Sequence, residues 1–478
     1  MPKTVKYIGT ARRWPERATT GMQSVWFPGQ AEQRSDLEAA QLLATGLFFD
    51  VDATQLPESK VVAISGVVSG GGKARRVARM FYSRLGTLSN ATLSTYHVAA
   101  EVQQHFDAVS LVIVNTSAVL SGYFVAKVSV SAALGDGNNS AGTWTSCTDF
   151  GGDTGLITPL APPGTRAAYL VTKPQSISSV ARSDGGTKPL VFARAYCVDA
   201  NASLPCYGDG SESLTNWATR TDGRLWLART QTGDQVTTPS GFTNTTNVSQ
   251  SPIVGLVYWA RGAVVGVSSF GDSTTNGQGT FKGEGWVVPA LNAAATVTGI
   301  PIEYANYSYP GERGIWTVSG GGFLQRALDV LRNPYLRPDS MILQSASLNP
   351  ITGLLTQAIF DEQAAAVRKV LSKCSAEQTR VLLSTTMPIT TAGNAYGSSD
   401  AFRAAYNAAT VANYSAGVTR VSLLDTSGLI GGVADGSGQI QIPPGYTSDG
   451  IHLNDAGNAA LLSAGTSAIT TGLIQGVL

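Results

Sequence analysis

Histidine, cysteine and charge are all scarce in this chain of 478 residues, which has three histidines, four cysteines and 14% charged residues. Four cysteines are too few for a disulfide scaffold. Cys197 and Cys206 flank a loop and form a candidate pair, Cys147 and Cys374 stand as singletons, and four free thiols is the equal alternative. Lysine plus arginine is 33 against 32 acidic residues, so the net charge of +1 excludes a broad electrostatic pull on nucleic acid or anionic membrane. The short basic cluster Lys73, Arg75 and Arg76 reads as a solvated loop. A run of about 18 apolar residues, the minimum for a bilayer span, is missing. Met1 to Tyr7 lacks the apolar core of a secretion signal, so a soluble product made without an export address is expected. Zinc-type Cys/His spacing and a phosphate-cradling Gly-x-x-x-x-Gly-Lys are absent too, and Gly320-Gly321-Gly322 opens a helix without a nucleotide fingerprint. Neither metal nor cofactor is implied.

What is present is a globular composition, 43% hydrophobic with 53 glycines. The length exceeds the roughly 250–300 residues at which single cores stop growing, so two or three domains are expected. Residues 1–55 hold Tyr7-Ile8-Gly9, Trp14, Trp26-Phe27-Pro28-Gly29-Gln30 and then Asp36 to Leu43, the pattern of a short strand, a turn and one helix. That block resembles the opening segments of tailed-phage virion proteins, with their Tyr-Ile-Gly start, Pro-Gly-Gln turn and Ala-rich helix carrying Leu-Leu. The resemblance implies an attachment arm; an arm packed on the next domain is the plainer reading.

Residues 56–261 change to short β-prone runs between Gly, Asn, Ser, Asp and Pro clusters. Val61 to Ile64, Ala108 to Val114, Tyr123 to Val130 and Leu190 to Tyr196 are the clearest. A β-sandwich or jelly roll is the economical expectation. From 262 to 478 apolar strands alternate with amphipathic helices, the signature of a parallel sheet in a three-layer α/β domain. Strands are predicted at Ala263 to Ser269, Ile302 to Ser308, Ser340 to Ser345, Arg380 to Ser384 and Arg420 to Leu424. Helices are predicted at Phe323 to Leu331, Asp361 to Lys373 and Asn454 to Leu473.

Ligands of open parallel sheets bind beyond the carboxyl ends of the strands. Gly271-Asp272-Ser273 follows the first strand, Tyr309-Pro310-Gly311 the second and Ser347-Leu348-Asn349 the third, while Asp449-Gly450-Ile451-His452 lies in the C-terminal connection. A serine hydroxyl needs a base to become a nucleophile at neutral pH, and free imidazole, with a pKa of about 6.5, suits the task. His97 and His105 fall in the β-rich region, which leaves His452 as the imidazole of the α/β domain. Asp449, three residues earlier, can hydrogen-bond the other ring nitrogen and set the tautomer. The candidate triad is therefore Ser273, Asp449 and His452. Backbone N–H groups of Ser273 and Gly311 and the side-chain amide of Asn349 are candidate oxyanion donors. Each motif alone is weak, since Gly-Asp-Ser is a common turn and aspartate a common helix cap; order, spacing and placement in one domain make them strong together. Asp272 and Asp425 read as structural carboxylates.

These residues resemble the SGNH (GDSL-type) hydrolase family, which implies a flavodoxin-like fold and a serine esterase. Gly271-Asp272-Ser273 matches its first block, Gly311 its lone glycine, with Gly314 as a neighbouring alternative, and Asp449-Gly450-Ile451-His452 its last block. The third block departs from Gly-x-Asn-Asp: Ser347 replaces the glycine and Pro350 the aspartate, whose usual hydrogen bond is missing or replaced. The resemblance covers about residues 262 to 478. Joined to a β-rich region, it suggests an acylated glycan or another ester as substrate, with Trp144, Trp217, Trp226 and Trp259 as candidate sugar-stacking faces. The preferred expectation is O-deacetylation of bacterial surface polysaccharide by a virion protein made in the host cytoplasm. Such a protein would be joined to other virion proteins by its N-terminal module and could be a homo-oligomer, a trimer if tail-associated. The alternatives are a non-catalytic glycan-binding or structural virion protein, and a cytoplasmic bacterial esterase or lipase.

Overall fold

A computed structural model of the chain describes residues 93–115, 124–135, 142–147, 168–197, 225–236, 250–277, 285–309, 311–314, 322–349, 356–390, 399–415, 420–434 and 440–475, single positions 242 and 477, and the shorter strand segments 3–7, 12–15, 23–26, 31–34, 48–50, 75–80, 85–89, 203–208, 218–219 and 246–247. Two compact units result, Met1–Ser69 and Gly70–Leu478.

In the first unit Lys3–Tyr7 is the middle strand of a three-stranded antiparallel sheet, between Ala31–Arg34 and Phe48–Asp50. Arg12–Pro15 pairs with Gln23–Trp26 in a separate ribbon. Five strands therefore occupy a segment expected to hold one; the helix expected from Asp36 to Leu43 lies outside the described residues.

The second unit begins with antiparallel strands. Ser94–Glu101, Leu190–Cys197 and Phe124–Ser131 lead one seven-stranded sheet, while Phe106–Asn115 and Ile253–Ala260 centre a four-stranded one. Both faces of Ser94–Glu101 and of Ile253–Ala260 are buried. The strand expected at Val61 to Ile64 and the side chains of Cys197 and Cys206 fall outside the described residues. Cys147 and Cys374 are free and buried, and burial pushes their thiols up, that of Cys374 to about 12, which makes them inert.

Two local expectations change here. Arg75 and Arg76 belong to a strand, Arg75–Met80, and the half-buried Arg76 guanidinium lies over the Tyr335 ring at 5.9 Å instead of in a solvated loop. Among the tryptophans, Trp144 faces the fully buried Arg194 at 4.4 Å. Trp259 meets Tyr335 edge-on at 6.3 Å. Both are committed to packing. Trp217 and the Trp226 side chain lie outside the described residues.

The remaining chain builds a five-stranded parallel sheet from β1 (Val265–Phe270), β2 (Ile302–Asn306), β3 (Ser340–Gln344), β4 (Arg380–Ser384) and β5 (Val421–Leu424), ordered β2-β1-β3-β4-β5. That order reverses beside β1, the switch point at which doubly wound sheets open a crevice. Around the sheet run α1 (Ser273–Asn276), α2 (Val287–Thr298), α3 (Phe323–Arg332), α4 (Gln357–Ala376), α5 (Ser399–Tyr414), α6 (Thr426–Leu429) and α7 (Asp455–Ile469). Val265, Val267, Ile342, Leu382 and Leu424 pack with Trp286, Leu291, Leu461 and Ile469, which places α2 and α7 on one face. On the other face α3 packs against α4, and α4 against α5. α3 shows why a helix forms: Phe323, Leu324, Ala327, Val330 and Leu331 are buried at i, i+1, i+4, i+7 and i+8.

The β-rich region is keyed to the edge strand of this sheet. Glu303 on β2 is fully buried and accepts the Tyr258 hydroxyl at 2.6 Å and the Gln103 N–H at 3.1 Å. Hydrogen bonds to charged groups are worth about 1.5–3 kcal/mol, and a buried carboxylate that loses one has no water to replace it. Tyr258→Phe is expected to lower the unfolding free energy by about 1.5–3 kcal/mol in denaturant melts; an unchanged midpoint would show that this bond does not anchor the seam.

Candidate active site

β1 ends in a turn with little freedom. A Cβ at Gly271 would sit 2.3 Å from Thr275 Oγ1 and 2.6 Å from Gln344 Oε1, so only glycine fits beside Thr275 of α1 and Gln344 of β3. Asp272 then caps α1, its Oδ1 accepting Thr274 N–H at 3.0 Å and the Thr274 hydroxyl at 2.8 Å. Gly277, in the left-handed conformation at φ 95°, closes the turn by donating to the Ser273 carbonyl at 3.1 Å. Ser273 is thereby held with 4% of its surface exposed.

The partner loop precedes α7. Asn454 caps that helix through Gly457 N–H at 3.1 Å, and Thr447 bridges Leu453, so residues 447–453 form a closed loop. Thr390 N–H holds the Gly450 carbonyl at 2.7 Å. Inside the loop Asp449 Oδ1 accepts the N–H groups of Ile451 and His452, each at 2.8 Å, and Oδ2 lies 2.6 Å from His452 Nδ1. His452 Nε2 stands 2.8 Å from Ser273 Oγ, across 179 residues of sequence. A carboxylate can only accept, so Nδ1 carries the proton and Nε2 presents its lone pair to the serine O–H.

Desolvation alone would raise the Asp449 pKa, but hydrogen bonds from the His452 N–H, the imidazole and the Ile451 N–H outweigh it and hold the carboxylate at about 2. It is ionised at neutral pH, and it stays half-exposed, with 46% of its side chain in contact with solvent, so water reaches the far side of the triad.

The oxyanion candidates are placed differently. Gly311 is exposed at φ 73° with nothing within 4 Å of a Cβ position, an open left-handed turn. Gly314 is buried, and a Cβ there would meet Gln363 Oε1 at 2.1 Å, so close packing accounts for the glycine. Asn349 donates its side-chain amide to the Glu312 carbonyl at 2.9 Å, which joins the third block to the residue after Gly311. Asp425 is structural: it caps α6 and accepts the Thr385 hydroxyl at 2.9 Å. His97 and His105 contact Arg194 and Ser179 in the β-rich region.

Two polar residues, Gln344 and Ser347, have hydrogen-bonding roles here that the sequence did not show. Gln344, at the end of β3 and 3% exposed, accepts Asp272 N–H at 3.1 Å and the Thr275 hydroxyl at 2.7 Å, and donates to Asp272 Oδ2 at 3.0 Å. Ser347 donates to the same carboxylate at 2.7 Å. A glutamine closing an apolar strand was the available signal. Among the described residues no three His, Cys, Asp or Glu side chains group as metal ligands, and no helix is long and apolar enough to cross a membrane.

The family model described as GDSL-like Lipase/Acylhydrolase matches residues 269–460. Among solved structures, a putative acylhydrolase from Bacteroides fragilis is 20% identical over 42% of this chain and 85% of its own, with a TM-score of 0.31. A putative arylesterase from Agrobacterium tumefaciens is 16% identical over 44% of this chain and all (100%) of its own, at 0.32. An acetyl-xylooligosaccharide esterase from Geobacillus is 16% identical over 42% and 92%, at 0.30. No curated protein matches the chain. Residues 269–460, which carry the serine, the histidine and the aspartate, form a GDSL-like lipase/acylhydrolase (SGNH) domain.

Proposed function

We propose that this domain hydrolyses carboxylic esters through an acyl-serine intermediate, with Ser273 as nucleophile, His452 as general base and acid, and Asp449 as the group that orients and stabilises the imidazolium. The observation that supports it most is the unbroken line from Asp449 Oδ2 through His452 to Ser273 Oγ, at 2.6 and 2.8 Å. The Ser273 oxygen attacks the acyl carbon while its proton passes to His452 Nε2. The negative oxygen of the tetrahedral intermediate is met by the N–H groups of Ser273 and Gly311 and by the Asn349 amide. Collapse expels the alcohol, which takes the proton back from His452. Water then attacks the acyl-serine by the same route and releases the acid.

The finer assignment is O-deacetylation of a bacterial surface polysaccharide by a tail-associated phage protein. It is supported by the union of the hydrolase domain with a β-rich region, taken as a sandwich, and by the likeness of residues 1–55 to virion openings. The packed Trp144 and Trp259 do not contribute to that support. Release of acetate from host capsule or O-antigen by purified protein, and detection of the protein on particles, are the results expected. Intact glycan acetyl groups would overturn the substrate.

With p-nitrophenyl acetate, Ser273→Ala is expected to lower kcat by about 10⁴- to 10⁶-fold; turnover equal to the unsubstituted protein would contradict the assignment and favour a glycan-binding role. Asp449→Asn should cost about 10²- to 10⁴-fold, below the loss for a fully buried orienting carboxylate because water can partly replace it.

Stability should follow pH with a definite sign. The folded-state pKa of Asp449, about 2, lies below the ordinary 3.8, so its stabilisation is present above about 3.8 and disappears as pH falls through about 2. The difference in Tm between the unsubstituted protein and Asp449→Asn is expected to shrink over that interval, as read by calorimetry at stepped pH; a gap that widens there would contradict the origin given for the shift.

A further inference from the structure

We propose that Ser347 is a positioning residue, one whose hydroxyl ties the Asn349 amide to the nucleophile turn; the inference rests on the esterase reading above. Ser347, just after β3, is 1% exposed. That hydroxyl meets three loops. Its oxygen lies 2.7 Å from Asp272 Oδ2 after β1 and 3.0 Å from the Glu312 carbonyl after β2, and it accepts the Asn349 N–H at 3.1 Å after β3.

One hydroxyl has one proton, and the shorter contact, to a carboxylate, takes it. Asp272 is a firm acceptor because Thr274 holds its other oxygen through both N–H and hydroxyl. The Glu312 carbonyl is then served by Asn349 Nδ2 at 2.9 Å. An amide has two N–H donors, so one is fixed on Glu312 and the second is left for a substrate oxygen. Ser347 itself does not rely on these bonds for its place. Gln363, on α4 and 1% exposed, accepts its N–H at 2.8 Å and donates to its carbonyl at 3.3 Å.

The hydroxyl is thus a strut between a fixed backbone and two parts of the site, Ser273 through Asp272 and Asn349 through its own N–H. Removing it frees the Asn349 N–H from its acceptor and takes one donor from Asp272, without opening a large cavity. The distance from nucleophile to oxyanion donor should then loosen, and a misplacement near 1 Å can cost about 10²-fold in rate. Substrate binding in the ground state should change little, because the amide matters most when the oxyanion forms.

A double-mutant cycle with p-nitrophenyl acetate separates this role from general support of the fold. Ser347→Ala is expected to lower kcat by about 10- to 100-fold, with KM changed less than about 3-fold and Tm within a few degrees. In an Asn349→Ala background the same substitution should cost less than about 3-fold, because the group it positions is gone. An unchanged kcat in Ser347→Ala, or an equal loss in both backgrounds, would overturn the proposal while leaving the esterase reading intact. Should Ser347→Ala fail to fold, Ser347→Gly supports the same cycle. Equal turnover by the unsubstituted protein and Ser273→Ala would instead overturn the esterase reading, and this inference with it.

Discussion

The contact on which the site depends is the 2.8 Å approach of His452 Nε2 to Ser273 Oγ, made by residues from opposite ends of one domain. Neither residue can adjust much to find the other. Ser273 is held by a turn whose glycines and capping aspartate leave no spare torsion, and His452 by a loop tied to α7, to Asp449 and to the Thr390 backbone. The distance is therefore a property of the sheet. β1 must exit beside β3, and α7 must lie on the α2 face, for the two loops to meet at the carboxyl edge.

Behind the serine lies a buried polar web that an apolar core would not need. Asp272 gathers donors from Thr274, Gln344 and Ser347, so a carboxylate only 4% exposed has its oxygens satisfied. A web of this kind is costly when incomplete and rigid when complete. Here it links the ends of β1 and β3 and the loop after β2, the three places from which attack and oxyanion stabilisation would be delivered. Half-exposed Asp449 sits outside the web, and hydrogen bonds from Thr447, Ile451 and His452 hold its charge.

Much of the α/β domain was legible in sequence because its strands are largely buried and read as short apolar runs, closed by Gly271, Asn306, Gln344, Ser384 and Asp425. All five lie within a residue or two of their expected places. α2 and α5 were harder to see. Both are rich in Ala, Thr and Asn, and α2 carries Pro289 in its first turn, where helices tolerate it. The triad was legible because imidazole is so rare in the chain that only one could serve. Gln344, Ser347 and Gln363 were not, since a buried amide or hydroxyl gains meaning only from partners 16 to 75 residues away. Four of the five strands of residues 1–50 were missed because short polar strands such as Arg12–Pro15 and Ala31–Arg34 lack the alternation by which strands are recognised.

Covalent capture of the serine tests the central claim most directly. A fluorophosphonate forms a stable adduct with a serine activated by a base and leaves ordinary surface hydroxyls alone. Intact-mass measurement followed by peptide mapping is expected to show one adduct per chain, on Ser273, abolished in His452→Ala. An unlabelled protein, or label on another residue, would contradict the account.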